Sequence, residues 1–142
     1  MNPTEQSTML ERLNQSSRNT LMEVLDIRYS AIGPDFLEAT MPVSPTVHQP
    51  MGLLHGGATA ALAESVGSAA SALRVDIGSQ SVVGTALSVN HLRGMREGSV
   101  TARAEPLHLG RTSHLWEIRI RDEAGRLVAD ARLSMMVLDK RR

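Results

Sequence analysis

A single carboxylate, that of Glu64, interrupts a stretch of the sequence that otherwise carries no charge. Residues 57–73 read GATAALAESVGSAASAL. A helix that is apolar around its whole circumference belongs in the interior of a protein. An ionisable group in such a helix must be paired, neutralised or used in chemistry. Because burial removes the water that stabilises a carboxylate, we expect Glu64 to act as a base or a nucleophile.

The tripeptide His55-Gly56-Gly57 stands where a loop is predicted to become this helix. Backbone N–H groups at a helix N-terminus lack partners within the helix, and the helix dipole favours negative charge there. Two glycines also permit close approach of a ligand carbonyl. We therefore predict an oxyanion hole built from the Gly56 and Gly57 amides, with Gln49 and His55 beside it as uncharged donors.

Ser68 lies one helical turn after Glu64 and could hydrogen-bond to the carboxylate or to a water molecule. Each feature also has a purely structural explanation. A buried glutamate can simply pair with a cation, here Arg93 or Arg103, and two glycines can simply form a tight turn. The charge-free helix, the His-Gly-Gly tripeptide and the eight-residue step from Gly56 to Glu64 together favour catalysis.

Other chemistries have weaker support in the sequence. Residues 63–67, AESVG, resemble a nucleophile elbow but lack its first glycine. The five histidines show no helical i, i+4 pair, so no metal site is expected, and no glycine-rich phosphate loop occurs. The His91-x-Arg93 pair and the loop at residues 109–112 could instead hold an anionic group such as a phosphate.

The composition excludes several functional classes. Fifteen basic and fifteen acidic residues give a net charge of zero, and only three residues are aromatic, so no nucleic-acid or anionic membrane partner is expected. There is no cysteine, and the first 17 residues lack the apolar core of a secretory signal. We expect one soluble, cytoplasmic domain over residues 1–142, without a cofactor.

The elements that must position these residues follow from periodicity. The capping-box pattern Thr8-x-x-Glu11 predicts a short helix within residues 1–20. Alternation predicts a hairpin of two strands around a turn at residues 33–35, and the central helix should end near Arg74. The predicted strands cover residues 25–32, 36–43, 82–92, 99–105, 114–121 and 127–138. Because strands and helices do not alternate, we predict an α+β domain in which an antiparallel sheet wraps the helix.

Small side chains recur at helical spacing along the central helix. On the side of Glu64 we place Gly57, Ala60, Ala61, Gly67, Ser68 and Ser71, and on the other side Leu62, Val66, Ala69 and Leu73. Such a stripe allows close approach of backbone or sheet, and tight helix-to-sheet packing alone would explain it.

Several motifs resemble those of a known family. QPxGLLHGG at residues 49–57 and ALAExxGS at residues 61–68 are similar to the hotdog-fold acyl-CoA thioesterases of the phenylacetate-pathway type, especially to the 1,4-dihydroxy-2-naphthoyl-CoA and enterobactin proofreading thioesterases. The resemblance extends over most of the chain. Further matches are LEATMPV at 37–43, VVG at 82–84, NH at 90–91 and PLHLG at 106–110.

The resemblance implies a hotdog fold, a long central helix wrapped by about six antiparallel strands, in homodimers that form two active sites at their interface and commonly pair into homotetramers. It implies that Glu64 is the general base or nucleophile and that the Gly56 amide polarises the thioester carbonyl, assisted by Gln49 and His55. Ser68 would place the attacking water. The residues implied in binding substrate or CoA are Met51, Gly57, Gly84, His91, Arg93, Arg111 and Thr112.

One departure concerns the substrate. The residue after Gln-Pro is usually aromatic in those relatives, whereas here it is the flexible Met51, and residues 71–74 lack bulky side chains. We expect an acyl-CoA thioesterase that favours aromatic acyl groups, with room for a different or broader set. The alternatives are hydrolysis of a thioester on an acyl carrier protein, a hydratase or dehydratase on the same fold, and a non-catalytic module that senses acyl-CoA.

Overall fold

A six-stranded antiparallel sheet wraps around one long helix, in the α+β arrangement that the order of elements predicts. The computed structural model describes residues 1–140. The elements are α1 (Pro3–Ser16), α2 (Leu21–Val24), β1 (Arg28–Gly33), β2 (Phe36–Pro42), α3 (Gly56–Ala72), β3 (Gln80–His91), β4 (Ser99–Leu109), β5 (Ser113–Asp122) and β6 (Leu127–Asp139). The strand order is β1-β2-β4-β5-β6-β3, and every neighbouring pair is antiparallel.

One side of α3 packs directly on the sheet through a mixture of apolar and small residues. Leu62 and Val66 are fully buried. A Cβ added at Gly67 would lie 2.5 Å from Leu133 Cδ2, so a larger residue there would force the buried Leu133 side chain to shift. The helix ends at Ala72 with Leu73 as its C-cap, close to the predicted end at Arg74.

The N-terminal helix is longer than the capping-box pattern predicted. Its cap is Asn2, whose side chain accepts from the Glu5 N–H while the Glu5 carboxylate accepts from the Asn2 N–H, so the assignment to Thr8 and Glu11 was wrong. The true capping box, Asn-x-x-Glu, stands six residues before the predicted Thr-x-x-Glu. Pro3 follows its first residue and occupies the first helical position.

Helix α1 is fixed to the edge strand β1 by Asn14. The Asn14 side chain accepts from the Tyr29 N–H at 2.8 Å and donates to the Tyr29 carbonyl at 3.0 Å. These two bonds replace those that a further strand would make at this position. The N-terminal helix therefore packs on β1.

The first strand begins three residues later than predicted. Leu25 is the C-cap of α2, a four-residue helix that the sequence did not reveal, and β1 starts at Arg28. A bulge after Tyr29 shifts the alternation, so Ile32 is buried where Ala31 was expected to be. Beyond the bulge, β1 and β2 form the predicted hairpin.

Strand β3 forms the other edge of the sheet. It is twelve residues long, and most of its side chains are exposed or half-buried. None of the helices within residues 1–140 is long and apolar enough to cross a membrane.

Candidate active site

The loop before α3 is a compact turn that aims Gln49 and His55 at the helix N-terminus. The Gln49 N–H donates to the Leu53 carbonyl at 2.8 Å, and the Gly52 N–H donates to the Gln49 carbonyl at 2.9 Å. Gly52 has a φ of 77°, which favours glycine. The His55 N–H donates to the Val47 carbonyl at 2.7 Å and so anchors the residue that begins the helix.

His55 caps α3 through its ring. The Gly57 N–H donates to His55 Nδ1 at 2.8 Å, so the Gly57 amide is occupied and the expectation of two free amides was wrong. In a neutral ring that accepts at Nδ1, the proton sits on Nε2, which becomes a donor. A Cβ at Gly57 would lie 2.9 Å from the ring, so this cap requires glycine.

The Gly56 amide is the donor that remains. No hydrogen bond from its N–H to another group is present within residues 1–140. A Cβ at Gly56 would lie 3.1 Å from His91 Nε2, which places the imidazole of β3 directly over this residue. Such an amide at a helix N-terminus is suited to binding a developing oxyanion.

Four of the predicted site residues share one cavity of about 330 Å³. They are Gln49, Gly56, His91 and Arg93. The Gln49 side-chain oxygen accepts from the Met51 N–H, which leaves the amide NH2 as a donor. The cavity therefore offers N–H donors and a cation, and no carboxylate lines it within residues 1–140.

Glu64 lies elsewhere, in an open groove of about 640 Å³ that also contains Ser68. Its side chain is exposed, so its expected burial does not occur within one chain. It makes no ion pair within residues 1–140, whereas Arg103 pairs with Glu38 at 2.9 Å and with Glu105 at 3.6 Å. The structural alternative, a buried ion pair of Glu64 with Arg93 or Arg103, is therefore wrong.

Two other predicted residues flank the Glu64 carboxylate. A Cβ at Gly84 would lie 3.8 Å from Glu64 Cδ, so Gly84 of β3 keeps space open beside the carboxylate. The Ser68 hydroxyl donates to Met135 Sδ at 3.8 Å and forms no hydrogen bond to Glu64. Its oxygen can still accept a hydrogen bond from a water molecule in the groove.

The stripe of small residues divides between two environments. Gly67 and Ser71 are buried against the sheet, contrary to their predicted place beside Glu64. Ala69, predicted on the opposite side, lines the groove. The groove retains from the predicted stripe Gly57, Ala60, Ala61 and Ser68.

The two halves of the candidate site are separated along α3. Eight residues from Gly56 to Glu64 correspond to about 12 Å of helix. They also line different cavities. A carbonyl bound at Gly56 is consequently out of reach of the Glu64 carboxylate of the same chain.

The residues predicted to contact CoA also lie in two separate parts of the chain's structure. The Thr112 carbonyl accepts from the Val137 N–H, and Val137 pairs with Val82 at the start of β3. His91 is at the other end of that strand, about 30 Å away. Arg111 and Thr112 therefore lie far from His91 and Arg93 in one chain. Met51 stands on the exposed tip of the loop, 76% exposed.

Tyr29 is a groove residue that the sequence did not single out. Its hydroxyl donates to the Ser65 carbonyl at 3.3 Å, and burial raises its pKa to about 12. The Tyr29 hydroxyl therefore stays neutral where the side chain lines the groove. Its place in an alternating strand predicted only that it would be buried.

A buried polar cluster was also missed. Ser71 Oγ and His114 Nδ1 are 2.9 Å apart, and Trp116 Nε1–H donates to Ser71 Oγ. Burial lowers the pKa of His114, with smaller effects of the charges of His108 and Arg74. The i, i+2 spacing of His114 and Trp116 could have shown that both face inward.

Comparisons with known proteins identify the family of this chain. Residues 51–129 match the Thioesterase superfamily. The chain is 54% identical to the proofreading thioesterase EntH of Cronobacter turicensis over 129 residues, covering 91% of this chain and 93% of that protein. It is 49% identical to the 1,4-dihydroxy-2-naphthoyl-CoA hydrolase of Escherichia coli K12 over 129 residues, covering 91% and 94%.

The fold has close counterparts among solved structures. A mutant of the thioesterase PA1618 from Pseudomonas aeruginosa superimposes with a TM-score of 0.91 at 48% identity, covering 92% of this chain and 94% of that one. For the thioesterase HI1161 from Haemophilus influenzae the TM-score is 0.89 at 47% identity, covering 92% and 90%. The hotdog fold is thereby confirmed. The chain belongs to the thioesterase superfamily and is a thioester hydrolase.

Proposed function

We propose that this protein hydrolyses acyl-CoA thioesters, preferring aromatic acyl groups, to the free acid and CoA. The observation that carries the proposal is the free Gly56 amide at the N-terminus of α3, on the same helix as the exposed carboxylate of Glu64. The similarity to a naphthoyl-CoA hydrolase supports an aromatic acyl group. The small residues of the groove leave space for such a flat group.

Each active site is shared between two chains. Nucleophilic attack needs reacting atoms within about 3.5 Å, far less than the roughly 12 Å between Gly56 and Glu64 along one helix. A homodimer joined along the open β3 edge would bring Glu64 of one chain toward Gly56 of the other and create two equivalent sites. Two such pairs would form the homotetramer.

The chemistry assigned to the site follows from its donors and its base. The thioester oxygen accepts from the Gly56 N–H, the Gln49 NH2 and His55 Nε2–H. Glu64 of the facing chain takes a proton from water, whose oxygen bonds to the carbonyl carbon. The C–S bond then breaks, and the proton passes to the CoA sulfur. Ser68 holds the water in place; alternatively, the Glu64 carboxylate attacks directly and water cleaves the resulting anhydride.

The CoA nucleotide would be held by cations from more than one chain. His91 and Arg93 lie beside Gly56, whereas Arg111 and Thr112 are at the far end of the sheet. Only a neighbouring chain could bring the second pair to the phosphates of the same molecule. This arrangement makes CoA recognition depend on assembly.

Replacement of Glu64 tests the central assignment. Glu64→Gln retains the shape of the side chain and removes its basicity, so kcat for benzoyl-CoA should fall by about 10³ with little change in KM. Release of the CoA thiol measures the rate, and circular dichroism verifies folding. A folded variant with near-normal turnover would rule out a role for this carboxylate in the chemical step.

Replacement of Gly56 tests the oxyanion donor. Gly56→Pro removes the N–H at a position where helices accept proline, and His55 already has the extended conformation that must precede proline. Gly56→Ala adds a Cβ but keeps the donor, so it is the matched control. We expect kcat to fall about 10² to 10³ in the proline variant beyond any loss in the alanine variant. Equal losses would mean that the N–H is not used.

A carrier-protein thioester is the second candidate, favoured by the 54% identity to EntH, a proofreading thioesterase. Turnover of one aryl group on CoA and on a phosphopantetheinyl carrier protein distinguishes the two. A higher kcat/KM on the carrier protein would replace the first proposal. Tight acyl-CoA binding without thiol release would instead indicate a sensing module.

A further inference from the structure

A second cavity, of about 320 Å³, lies between α1, the β1–β2 hairpin and the C-terminal end of α3. Its walls include Met9 of α1, Ile32 and Phe36 of the hairpin, Leu73 after α3, and Trp116 of β5. A volume of this size falls within the range of ligand sites in proteins. The cavity is therefore large enough to hold a small organic molecule.

This cavity is separate from the candidate active site. Leu73 follows Glu64 by nine residues, which at 100° per residue places it on the opposite side of the helix, about 13 Å further along the axis. None of the residues assigned above to catalysis or to CoA lines it. A molecule bound there would not contact the reacting thioester of the same chain.

The side chains of the lining are apolar except for one cation. The Trp116 N–H is already bonded to Ser71, so the indole presents only carbon atoms to the cavity. Arg74 is the one charged side chain in the lining within residues 1–140. Its guanidinium donates to the Pro34 carbonyl and makes no ion pair within that range. Four of its five N–H donors remain available.

We propose that this cavity binds an apolar monocarboxylic acid, whose tail occupies the space beside Trp116 and whose carboxylate pairs with Arg74. An engineered apolar cavity of about 150 Å³ accepts benzene, so about twice that volume accommodates a chain of about eight to ten carbons. Arg74 is essential to this charge selectivity, because the carbonyls at the C-terminus of α3 would otherwise repel a carboxylate.

Trp116 provides a direct probe because it is the only tryptophan in the chain. Bromine quenches tryptophan fluorescence at short range, so 10-bromodecanoate should quench Trp116 saturably, and decanoate should reverse the quenching. The same result is expected with Glu64→Gln protein. Quenching is measured without turnover, so its result does not depend on whether the protein hydrolyses a thioester.

Charge variants test the role of Arg74. Arg74→Gln should weaken binding of 10-bromodecanoate by at least about threefold and leave binding of the neutral 10-bromodecan-1-ol unchanged. Arg12→Gln, which removes an exposed cation from α1, is the matched control and should bind the acid normally. Equal affinity of the Arg74→Gln and parent proteins for the acid would overturn the proposal.

Filling the cavity with a larger side chain tests whether the acid binds there. Ala70 lines the cavity on α3, and Ala70→Leu should reduce quenching by the acid and by the alcohol alike. If this variant unfolds, Leu73→Phe, at a partly buried position, serves the same purpose. Quenching that does not saturate, or that is undiminished in a folded filled variant, would show that the acid binds elsewhere.

Discussion

His55 is held in one tautomer by the helix that it caps. Its Nδ1 accepts the Gly57 N–H, so Nε2 carries the proton and is the hydrogen-bond donor of the ring. The Gly-Gly pair thus has two different roles: Gly57 makes room for the ring, and Gly56 supplies the free amide. The sequence predicted both residues as donors, because a motif does not show which amide its own neighbour occupies.

The buried His114 predicts a loss of stability in mild acid. Burial holds the pKa of His114 below 6.5 in the folded chain. As the pH falls below about 6.5, this histidine is therefore protonated in the unfolded chain before it is protonated in the folded chain. This residue should lower the free energy of unfolding by up to about 1.4 kcal/mol per pH unit. Urea titrations followed by circular dichroism between pH 7.5 and 5.5 measure the slope.

His114→Gln removes this titration while keeping an acceptor for Ser71. The variant should show a shallower slope, and His91→Gln, at an exposed position that does not affect the pKa of His114, is the control. Identical slopes in the parent and His114→Gln proteins would contradict the prediction.

The long elements were predicted well, and the local irregularities were not. The central helix and the last four strands were each located to within a few residues, because hydrophobic periodicity is strong over ten or more positions. The four-residue α2 and the bulge after Tyr29 are too short to produce a period. They determine where β1 begins and which of its side chains are buried.

At the scale of elements, Asn14 should account for much of the attachment of α1. Asn14→Ala removes two partly buried hydrogen bonds to the Tyr29 backbone and leaves that N–H and carbonyl unpaired. We expect a loss of about 1–3 kcal/mol in the free energy of unfolding, measured by urea denaturation. Hydrogen exchange at the Tyr29 amide should also accelerate.

The adjacent Gln15 offers the control for this experiment. Its side chain is exposed, so Gln15→Ala should cost little because alanine also favours helix. A loss in Asn14→Ala no larger than that in Gln15→Ala would show that the bonds to Tyr29 contribute nothing.

For the whole molecule, the proposal that two chains share each active site predicts rescue between two inactive variants. When Gly56→Pro and Glu64→Gln chains are mixed by joint refolding, about half of the pairs are mixed, and each mixed pair has one intact site of two. Thiol release should recover to about a quarter of the parent activity. Activity no higher than the sum of the separate variants would mean that each chain uses its own two residues.

The exposure of Glu64 in the single chain is a property of the whole molecule and could not be predicted from the sequence. Alanine, serine and glycine suit a helix face that packs on the same chain and equally one that a second chain covers. The charge-free stretch correctly predicted the helix, and the catalytic role of Glu64 stays a prediction. The stretch did not identify which surface would remove water from the carboxylate.

The contrast between the two edges of the sheet also limits how chains associate. The β1 edge is closed at Tyr29 by Asn14, whereas the twelve residues of β3 have no covering element within residues 1–140. Each chain therefore has one open strand edge within residues 1–140 at which a second chain could add a strand. Loss of Asn14 would open the β1 edge as well, and chains with two open edges can add to one another without limit.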